Sequence, residues 1–311
     1  MSVFWHCDFF SYLGQKNKYM KTLVTTLFLC LGFITNAQYH RFVYEYEFTT
    51  DSTQTDKMTK TLTNLDVHKN HSVFYSQDAY QRDSLAAESV IKQRKISPGN
   101  ISISYEEVKF PEVVTKQYPN YNTQWQTVIE SEALLVEEPQ KFSWKLHPET
   151  EVIEGYKCQK ATMNHQGKEW TAWFTNEIPL PEGPYKFSGL SGLIVKMHDA
   201  QNTHRFTLKG NEKLDDKNLP WEKLLKLKEE ARFFIKPLKI NRQQFKKLYK
   251  EYANDPVKQL KQELAMPNYS MTLKVDEKTI TDNNEIIRYY EKTEREKLAK
   301  FNNPLEPNLY K

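Results

Sequence analysis

Cysteine and glycine are scarce in this chain, and it has no apolar run long enough to cross a bilayer as a helix. Its 311 residues include three cysteines and nine glycines. The net charge of +4 is too small to favour nucleic acid as a partner. Glycine-rich phosphate loops, Gly-x-Ser-x-Gly elbows and His-Glu-x-x-His pairs are absent from the sequence, so the enzyme classes that these motifs mark are not indicated.

The N-terminal region has the pattern of a secretory signal peptide. Lys21 precedes an apolar run from Leu23 to Ile34, and Ala37 supplies a small residue at the expected cleavage point. A buried core helix is the alternative interpretation. We assign residues 20–37 to the signal and residues 1–19 to a mis-assigned extension before Met20. The sequence thus predicts export to the periplasm, the outer membrane or the exterior, with Cys158 the sole cysteine after cleavage.

Aromatic residues are abundant and alternate with polar ones, which is typical of strands. Residues 39–50 place Phe42, Tyr44, Tyr46 and Phe48 on one face. Further strands are predicted at 59–68, 71–76, 101–109, 123–129, 140–147, 156–163, 168–175, 193–198 and 203–209. The predicted fold is therefore mainly β with helical additions (α+β): an open antiparallel sheet or half-barrel with C-terminal helices packed on it.

Helical signals interrupt and follow these strands. A helix is predicted near 80–94, and others within 220–265, where Asn241 and Gln244 form a potential capping box. A strand is expected at 270–275. We predict one β-rich domain over 38–280, followed by a charged, exposed and partly helical tail over 281–311.

Five of the glycines lie between residues 155 and 192, in a stretch that also holds several tryptophans. The order of its motifs resembles the GLPGLI family, a group of exported Bacteroidetes proteins without an established activity. The residues that carry the resemblance are Trp144, Gly155, Tyr156, Cys158, Trp170, Trp173, Pro179, Gly183, Pro184, Lys186, Phe187, Gly189, Leu190, Gly192, Leu193 and Ile194. Ser191 departs from the proline usual in that family. The resemblance implies export and a shared fold, and it supplies no active site.

The same stretch predicts a specific local structure. Two strands, 156–163 and 168–175, flank a turn and form a hairpin. A loop follows, and a turn with glycines at both ends leads into a core strand, with Leu190 tucked into the core. We therefore interpret the motif residues as structural.

Several residues are candidates for chemistry. Cys158 is compatible with a nucleophile, although its strand position favours a buried structural residue. His198, Asp199 and His204 lie at the ends of a predicted hairpin and are compatible with a metal site or with a polar hairpin tip; His68 and His71 are weaker metal candidates.

Charged groups give a less specific signal. The carboxylate pairs Glu106–Glu107, Glu137–Glu138 and Asp215–Asp216 are expected to be solvated, because adjacent strand residues point to opposite faces. The lysines of 221–250 alternate with glutamates, as on a solvated helix face. No metal or cofactor is expected.

These observations favour a non-enzymatic envelope protein that binds an apolar ligand or a protein partner on a curved sheet. Two alternatives remain open. One is an exported enzyme with an unrecognised site. The other is an assembly partner of an outer-membrane transporter.

Overall fold

The computed structural model describes residues 39–97, 101, 108–130, 132–215, 217, 219–232 and 236–311. The predicted signal peptide and the extension before it lie outside these residues, as does most of the strand predicted at 101–109. Residues Tyr39–Lys311 form one compact unit. Among the described helices, none combines the length and apolarity needed to span a bilayer.

Twelve strands form one open, mixed sheet, and two more form a separate hairpin. The strands are β1 (Tyr39–Phe48), β2 (Thr59–Val67), β3 (His71–Ser76), β4 (Val113–Gln117), β5 (Asn122–Ile129), β6 (Glu132–Pro139), β7 (Lys145–Ile153), β8 (Tyr156–His165), β9 (Lys168–Thr175), β10 (Leu193–Asp199), β11 (His204–Leu214), β12 (Leu238–Asn241), β13 (Leu273–Val275) and β14 (Lys278–Ile280). The sheet runs in the order β12-β6-β5-β4-β3-β2-β1-β11-β10-β9-β8-β7. Its neighbours are antiparallel except β12 and β6, so the expectation of a purely antiparallel sheet is corrected at this edge.

Five helices accompany the sheet in the described part of the chain. They are α1 (Gln77–Ile96), α2 (Pro220–Glu230), α3 (Arg242–Asn254), α4 (Lys258–Leu264) and α5 (Asn283–Lys300). A short 3-10 turn follows at Pro307–Leu309. The predicted helices near 80–94 and within 220–265 are confirmed at α1 to α4.

One side of the sheet carries most of its large aromatic residues, and we call this side the aromatic face. Cross-strand partners share a face in an antiparallel ladder. The pairs Tyr46–Phe206, Leu65–Phe74 and Val114–Trp125 therefore mark this side. Four of these six residues are aromatic, the exceptions being Leu65 and Val114. Each of the six is at most 1% exposed.

The opposite side, the helix face, is covered by α1 and α2. Val73, Tyr75 and Val113 pack there against Trp221 and Leu224 of α2. The Tyr75 and Trp221 ring centroids lie 4.9 Å apart. Helices α1 and α2 thus cover the helix face, whereas the aromatic face is covered partly by α3, whose Phe245 ring lies 4.8 Å from that of Trp125, and otherwise by irregular parts of the chain.

Two irregular segments cover the aromatic face. The first, the crossing loop, comprises residues 176–192 between β9 and β10. It buries Tyr185, Phe187 and Leu190 in the main core. The second, the terminal segment, comprises residues 301–311, and its Leu305 and Leu309 join the same core.

The expectation of an exposed tail over 281–311 is therefore wrong for the terminal segment. Asn303, Leu305, Glu306 and Leu309 are each at most 9% exposed. Counting charges along the sequence does not show that Glu306 has a buried cationic partner in the crossing loop. Helix α5, which precedes the segment, is mostly exposed as expected.

Candidate functional site

A buried lysine on β4 shapes the crossing loop. Lys116 donates hydrogen bonds to the carbonyl oxygens of Gly183 (2.9 Å) and Phe187 (3.1 Å) and forms an ion pair with Glu182. Glu182 also accepts from Ser72 (3.0 Å) and Tyr118 (2.5 Å). Burial lowers the pKa of Lys116 while the charge of Glu182 opposes that shift. The loop backbone and its own carboxylate therefore satisfy this cation.

A second buried lysine, in the crossing loop itself, joins the loop to β6 and to the terminal segment. Lys186 pairs with Glu138 and with Glu306, the latter at 3.1 Å. Its ammonium lies 4.5 Å from the centre of the Trp125 ring, within cation–π distance. Arg242 at the start of α3 reaches Glu138 at 3.2 Å. Two cations thus face two buried carboxylates, and burial raises the pKa of Glu306.

A third buried lysine joins β9 to the tip of the β10–β11 hairpin. Lys168 donates to Asp199 (2.8 Å) and to Asn303 of the terminal segment (2.7 Å). Asp199 also accepts from the backbone N–H groups of Thr203 (2.7 Å) and His204 (2.9 Å). These contacts tie three distant parts of the chain together.

The three lysine clusters are better suited to structure than to catalysis. Lys116, Lys168 and Lys186 are buried, and each ammonium contacts a buried carboxylate as well as further oxygen atoms. Buried charges persist in proteins when they are paired and hydrogen-bonded in this way. These ammonium and carboxylate groups are already bound to protein atoms, so they have little hydrogen-bonding capacity left for a substrate.

The hydrogen-bond pattern of the histidine candidates does not indicate a metal site. The Asp199 carboxylate is occupied by Lys168 and the hairpin tip, and His198 Nδ1 lies 3.0 Å from the Asp199 carbonyl oxygen. His204 turns into the core, where Nδ1 lies 2.7 Å from the Tyr46 hydroxyl and Nε2 lies 2.9 Å from the Asn303 carbonyl oxygen. Burial and the charge of Lys168 lower the pKa of His204 to about 4. The polar hairpin-tip interpretation fits His198 and Asp199, whereas His204 is a hydrogen-bonded core histidine, 1% exposed.

Cys158 is a buried core residue, 1% exposed, whose thiol lies 3.5 Å from the Tyr156 carbonyl oxygen. Burial raises the pKa of the thiol to about 11, which keeps it protonated at neutral pH. A reactive cysteine needs the opposite setting, exposed and electropositive. The structural interpretation of Cys158 is the one that this environment supports.

The motif residues near the crossing loop have identifiable structural roles. The Trp144 indole donates to the Ser188 carbonyl oxygen at 2.9 Å, and Trp170 is buried beside Phe187, with ring centroids 4.9 Å apart. Gly189 has a φ of +90°, and a Cβ on Gly192 would lie 1.9 Å from the Thr175 carbonyl oxygen. These positions specify how the loop folds back onto the sheet.

The expectation that the carboxylate pairs are solvated is wrong for Glu138. Its neighbour Glu137 is exposed, while Glu138 is 4% exposed and bound to Lys186. Asp215 is exposed, and Asp216 and the pair Glu106–Glu107 lie outside the described residues. The burial of Glu138 was missed because its partners are 48 and 104 residues away along the chain.

An open groove of about 340 Å³ lies where the β6–β12 edge meets α3 and α4. Its lining residues are Ile129, Glu130, Glu132, Leu134, Leu238, Leu248, Glu251, Tyr252, Asp255, Lys258, Gln259 and Gln262. Carboxylates, amides, a phenol and leucines are thus side by side, so the groove offers hydrogen-bonding and apolar contacts together. Its volume is in the range of small-ligand sites.

One acidic group of this groove, Glu130, has a raised pKa. Partial burial raises the pKa of Glu130, and the nearby Asp255 raises it further. Glu130 also has a positive φ of 54°, at the turn between β5 and β6. The groove was missed at the level of sequence because it combines two regions separated by about a hundred residues, and its residues form no recognisable motif.

Comparison with known proteins identifies a family that this chain matches. The family described as "N-glycanase peptide, N-terminal domain" matches residues 50–232. The prediction that residues 144–194 identify a GLPGLI protein is therefore wrong, because this match includes that whole stretch. The resemblance rested on residues whose roles in this structure are structural, such as Gly189 and Gly192 of the crossing loop.

Two solved structures of PNGF-II are similar to this chain, each at 16% identity. The form in space group P21 has a TM-score of 0.45, with 68% of this chain and 33% of that chain covered. The C2 form has a TM-score of 0.42, with 66% and 31% covered. This chain thus spans about a third of the length of those proteins. No curated protein matches it.

Proposed function

The chain belongs to the family of N-glycanase N-terminal domains, and on that premise we propose that it takes part in the enzymatic removal of N-linked glycans by binding the glycoprotein substrate. The family match over residues 50–232 is the observation that carries the proposal. The groove beside α3 and α4 is the proposed binding surface. Eight of its twelve lining residues, from Leu238 onward, lie beyond the matched residues.

The chemistry of the groove supports a glycan ligand. A sugar presents hydroxyl groups around its rim and C–H groups on its faces. Carboxylates and amides such as Glu251 and Gln262 can bond the hydroxyls, and Leu248 and the Tyr252 ring can pack against a sugar face. The Tyr252 hydroxyl is bonded to Glu294 at 2.7 Å, which fixes the orientation of its ring.

An apolar ligand on the aromatic face has less support. Tyr185, Phe187 and Leu190 of the crossing loop already occupy that face, each at most 3% exposed. Such a ligand would have to displace the loop together with the Lys116 and Lys186 ion pairs. The groove requires no such rearrangement.

Titration with a glycopeptide tests the proposal. One peptide is prepared with an N-linked oligosaccharide and without it, and each form is titrated into the protein by calorimetry. We expect binding of the glycosylated form only. The double variant Glu251→Ala/Gln262→Ala should weaken it about tenfold, a loss of about 1.4 kcal/mol.

Glu230→Ala, an exposed glutamate of α2 outside the groove, is the matched control and should bind as the wild type does. Equal affinity for the glycosylated and the bare peptide would contradict the proposal. So would an unchanged affinity in the double variant.

A second candidate is catalysis by the chain itself, through the Glu130–Asp255 pair. The raised pKa of Glu130 beside Asp255 favours it, because acid–base catalysis uses carboxyl groups with separated pKa values. To decide between the two, the protein is incubated with a glycoprotein, and the mass of the glycoprotein is measured before and after. Glycan release that is lost in Glu130→Gln would establish an enzyme, whereas binding without release supports a recognition domain.

Export remains a proposal from the sequence of residues 20–37. N-linked glycoproteins are extracytoplasmic, so a glycan-binding role is consistent with it. Fractionating cells that produce the protein, with N-terminal sequencing of the product, tests both export and the cleavage point.

A further inference from the structure

We propose that His68, His71 and Glu222 bind a divalent transition-metal ion of the zinc class at the β2–β3 turn. This site lies on the helix face and does not depend on the proposed glycan function. It joins the two histidines that were the weaker metal candidates in the sequence to a glutamate about 150 residues further along the chain.

The three side chains converge from three elements. His68 follows β2, His71 begins β3 and Glu222 lies in the first turn of α2. The His68 and His71 rings are stacked, with centroids 4.4 Å apart and an interplanar angle of 6°. Glu222 Oε1 lies 3.3 Å from His68 Nδ1 and 3.9 Å from His71 Nε2. One ligand atom from each residue lies within 4.8 Å of the other two.

Two buried polar atoms at this cluster have no hydrogen-bond partner among the described residues. They are His68 Nε2 and Glu222 Oε2. Buried polar groups are rarely left unpaired, and each such exception needs an explanation. A metal ion held between the two side chains would supply the missing interaction for the carboxylate and fix the orientation of the imidazole.

The donor set fits zinc better than the alkaline-earth ions. Two imidazoles and one carboxylate leave a fourth position for water or a substrate, which is the composition of open zinc sites. Calcium and magnesium prefer oxygen ligands throughout.

The surroundings hold the ligands in place and leave a path for the ion. The backbone N–H of His68 donates to the His71 carbonyl oxygen at 2.8 Å, which fixes the turn. Trp221, adjacent to Glu222, packs on Tyr75. The side chains of His71 and Glu222 are 28% and 34% exposed, whereas that of His68 is 3% exposed. An ion can therefore approach from the side of His71.

The positive charge of Arg41 acts on His68 and would repel a bound cation. However, Arg41 is bound to both oxygens of Asp66, at 2.7 and 2.9 Å. This bidentate pairing reduces the repulsion that a bound cation would meet.

Zinc titration of the tag-free protein, after removal of metals with a chelator, tests the site. Calorimetry should show one ion bound per chain. His71→Ala and Glu222→Gln should each weaken binding by roughly 10–100-fold or more, since even the outer-shell partners of metal ligands have effects of that size. Both residues are partly exposed, and circular dichroism checks that the variants fold.

His147→Ala and Glu230→Gln remove a histidine and a glutamate elsewhere and serve as matched controls, with wild-type affinity expected. Titration with Co²⁺ gives a second readout, because its visible absorption reports nitrogen and oxygen coordination. The absence of stoichiometric binding would overturn the proposal. So would equal zinc affinity in wild type, His71→Ala and Glu222→Gln, which would place the ion elsewhere.

Discussion

At the scale of single residues, the interior of the protein contains three lysines. Lys116, Lys168 and Lys186 are all buried, although lysine is rarely fully buried without a partner. Each is matched by a carboxylate and by further oxygen acceptors, so each connects segments that are distant in sequence. The free energy that they contribute depends on this pairing, because an unpaired buried charge costs several kcal/mol.

Removal of the Lys168 ammonium should destabilise the protein strongly. In Lys168→Met, Asp199 stays buried without its cation, and we expect the free energy of unfolding to fall by about 3 kcal/mol. The three hydrogen bonds that Asp199 keeps to Thr203 and His204 place the loss at the lower end of the usual range. Urea denaturation followed by tryptophan fluorescence measures it.

Lys209→Met is the matched control for this prediction. Lys209 pairs with Glu154 at 2.9 Å, nearly the distance of the Lys168 pair, but both side chains are about 40% exposed. Exposed pairs contribute less than about 1 kcal/mol. Similar losses in the two variants would show that burial of the Lys168 pair is not what makes it important.

Single residues also show how far the sequence is informative. Alternation places Phe42, Tyr44 and Tyr46 on a buried face, and the structure confirms this. The burial of Lys168 could not be predicted, because its partners Asp199 and Asn303 lie 31 and 135 residues away. Local pattern reports which face a residue occupies, whereas pairing of a buried charge depends on the tertiary fold.

At the scale of elements, local signals were most accurate where the chemistry is local. The predicted capping box is present: Gln244 N–H donates to Asn241 Oδ1 at 3.0 Å, and Asn241 N–H donates to Gln244 Oε1 at 2.8 Å. The hairpin of β8 and β9 forms as expected, with its turn at Gln166 and Gly167.

Strands that depend on distant partners were less predictable. The strand predicted at 140–147 is present only from Lys145 onward, because β6 ends at Pro139 and β7 starts at Lys145. β4, β6 and β12 were not predicted at all. β12 is only four residues long and is stabilised by parallel pairing with β6, a partner about a hundred residues earlier.

The two glycines of the turn before β10 should respond differently to alanine. Gly192→Ala places a Cβ against the Thr175 backbone, which cannot move without breaking the ladder, and should cost at least about 3 kcal/mol. Gly189→Ala meets no atom within 4 Å, and only its positive φ opposes it, at roughly 1–2 kcal/mol. Thermal unfolding of both variants should rank them in this order. A larger loss for Gly189→Ala would contradict the close-approach explanation.

At the scale of the whole molecule, the sheet and its two covering segments depend on each other. The terminal segment supplies Asn303 to Lys168, Glu306 to Lys186 and Leu309 to the core. Without it the aromatic face is partly uncovered, and two buried lysines lose oxygen partners. The compact unit therefore requires residues that the sequence alone indicated to be an exposed tail.

Truncation after Lys300 tests this dependence. We expect the truncated protein to lose its cooperative thermal transition or to unfold at a much lower temperature. Circular dichroism and limited proteolysis measure the change. Removal of Lys311 alone, an exposed residue, is the control. A truncated protein with the melting temperature of the intact chain would show that the terminal segment is dispensable.

The terminal segment also determines when the protein can finish folding. Asn303 donates to the Thr49 carbonyl oxygen, a contact that spans 254 positions of the chain. A ribosome makes Thr49 early and Asn303 late, so strand β1 waits for its cover through most of synthesis. Contacts of such long separation slow folding. The aromatic face of the nascent chain consequently stays incompletely covered until residues 301–311 emerge.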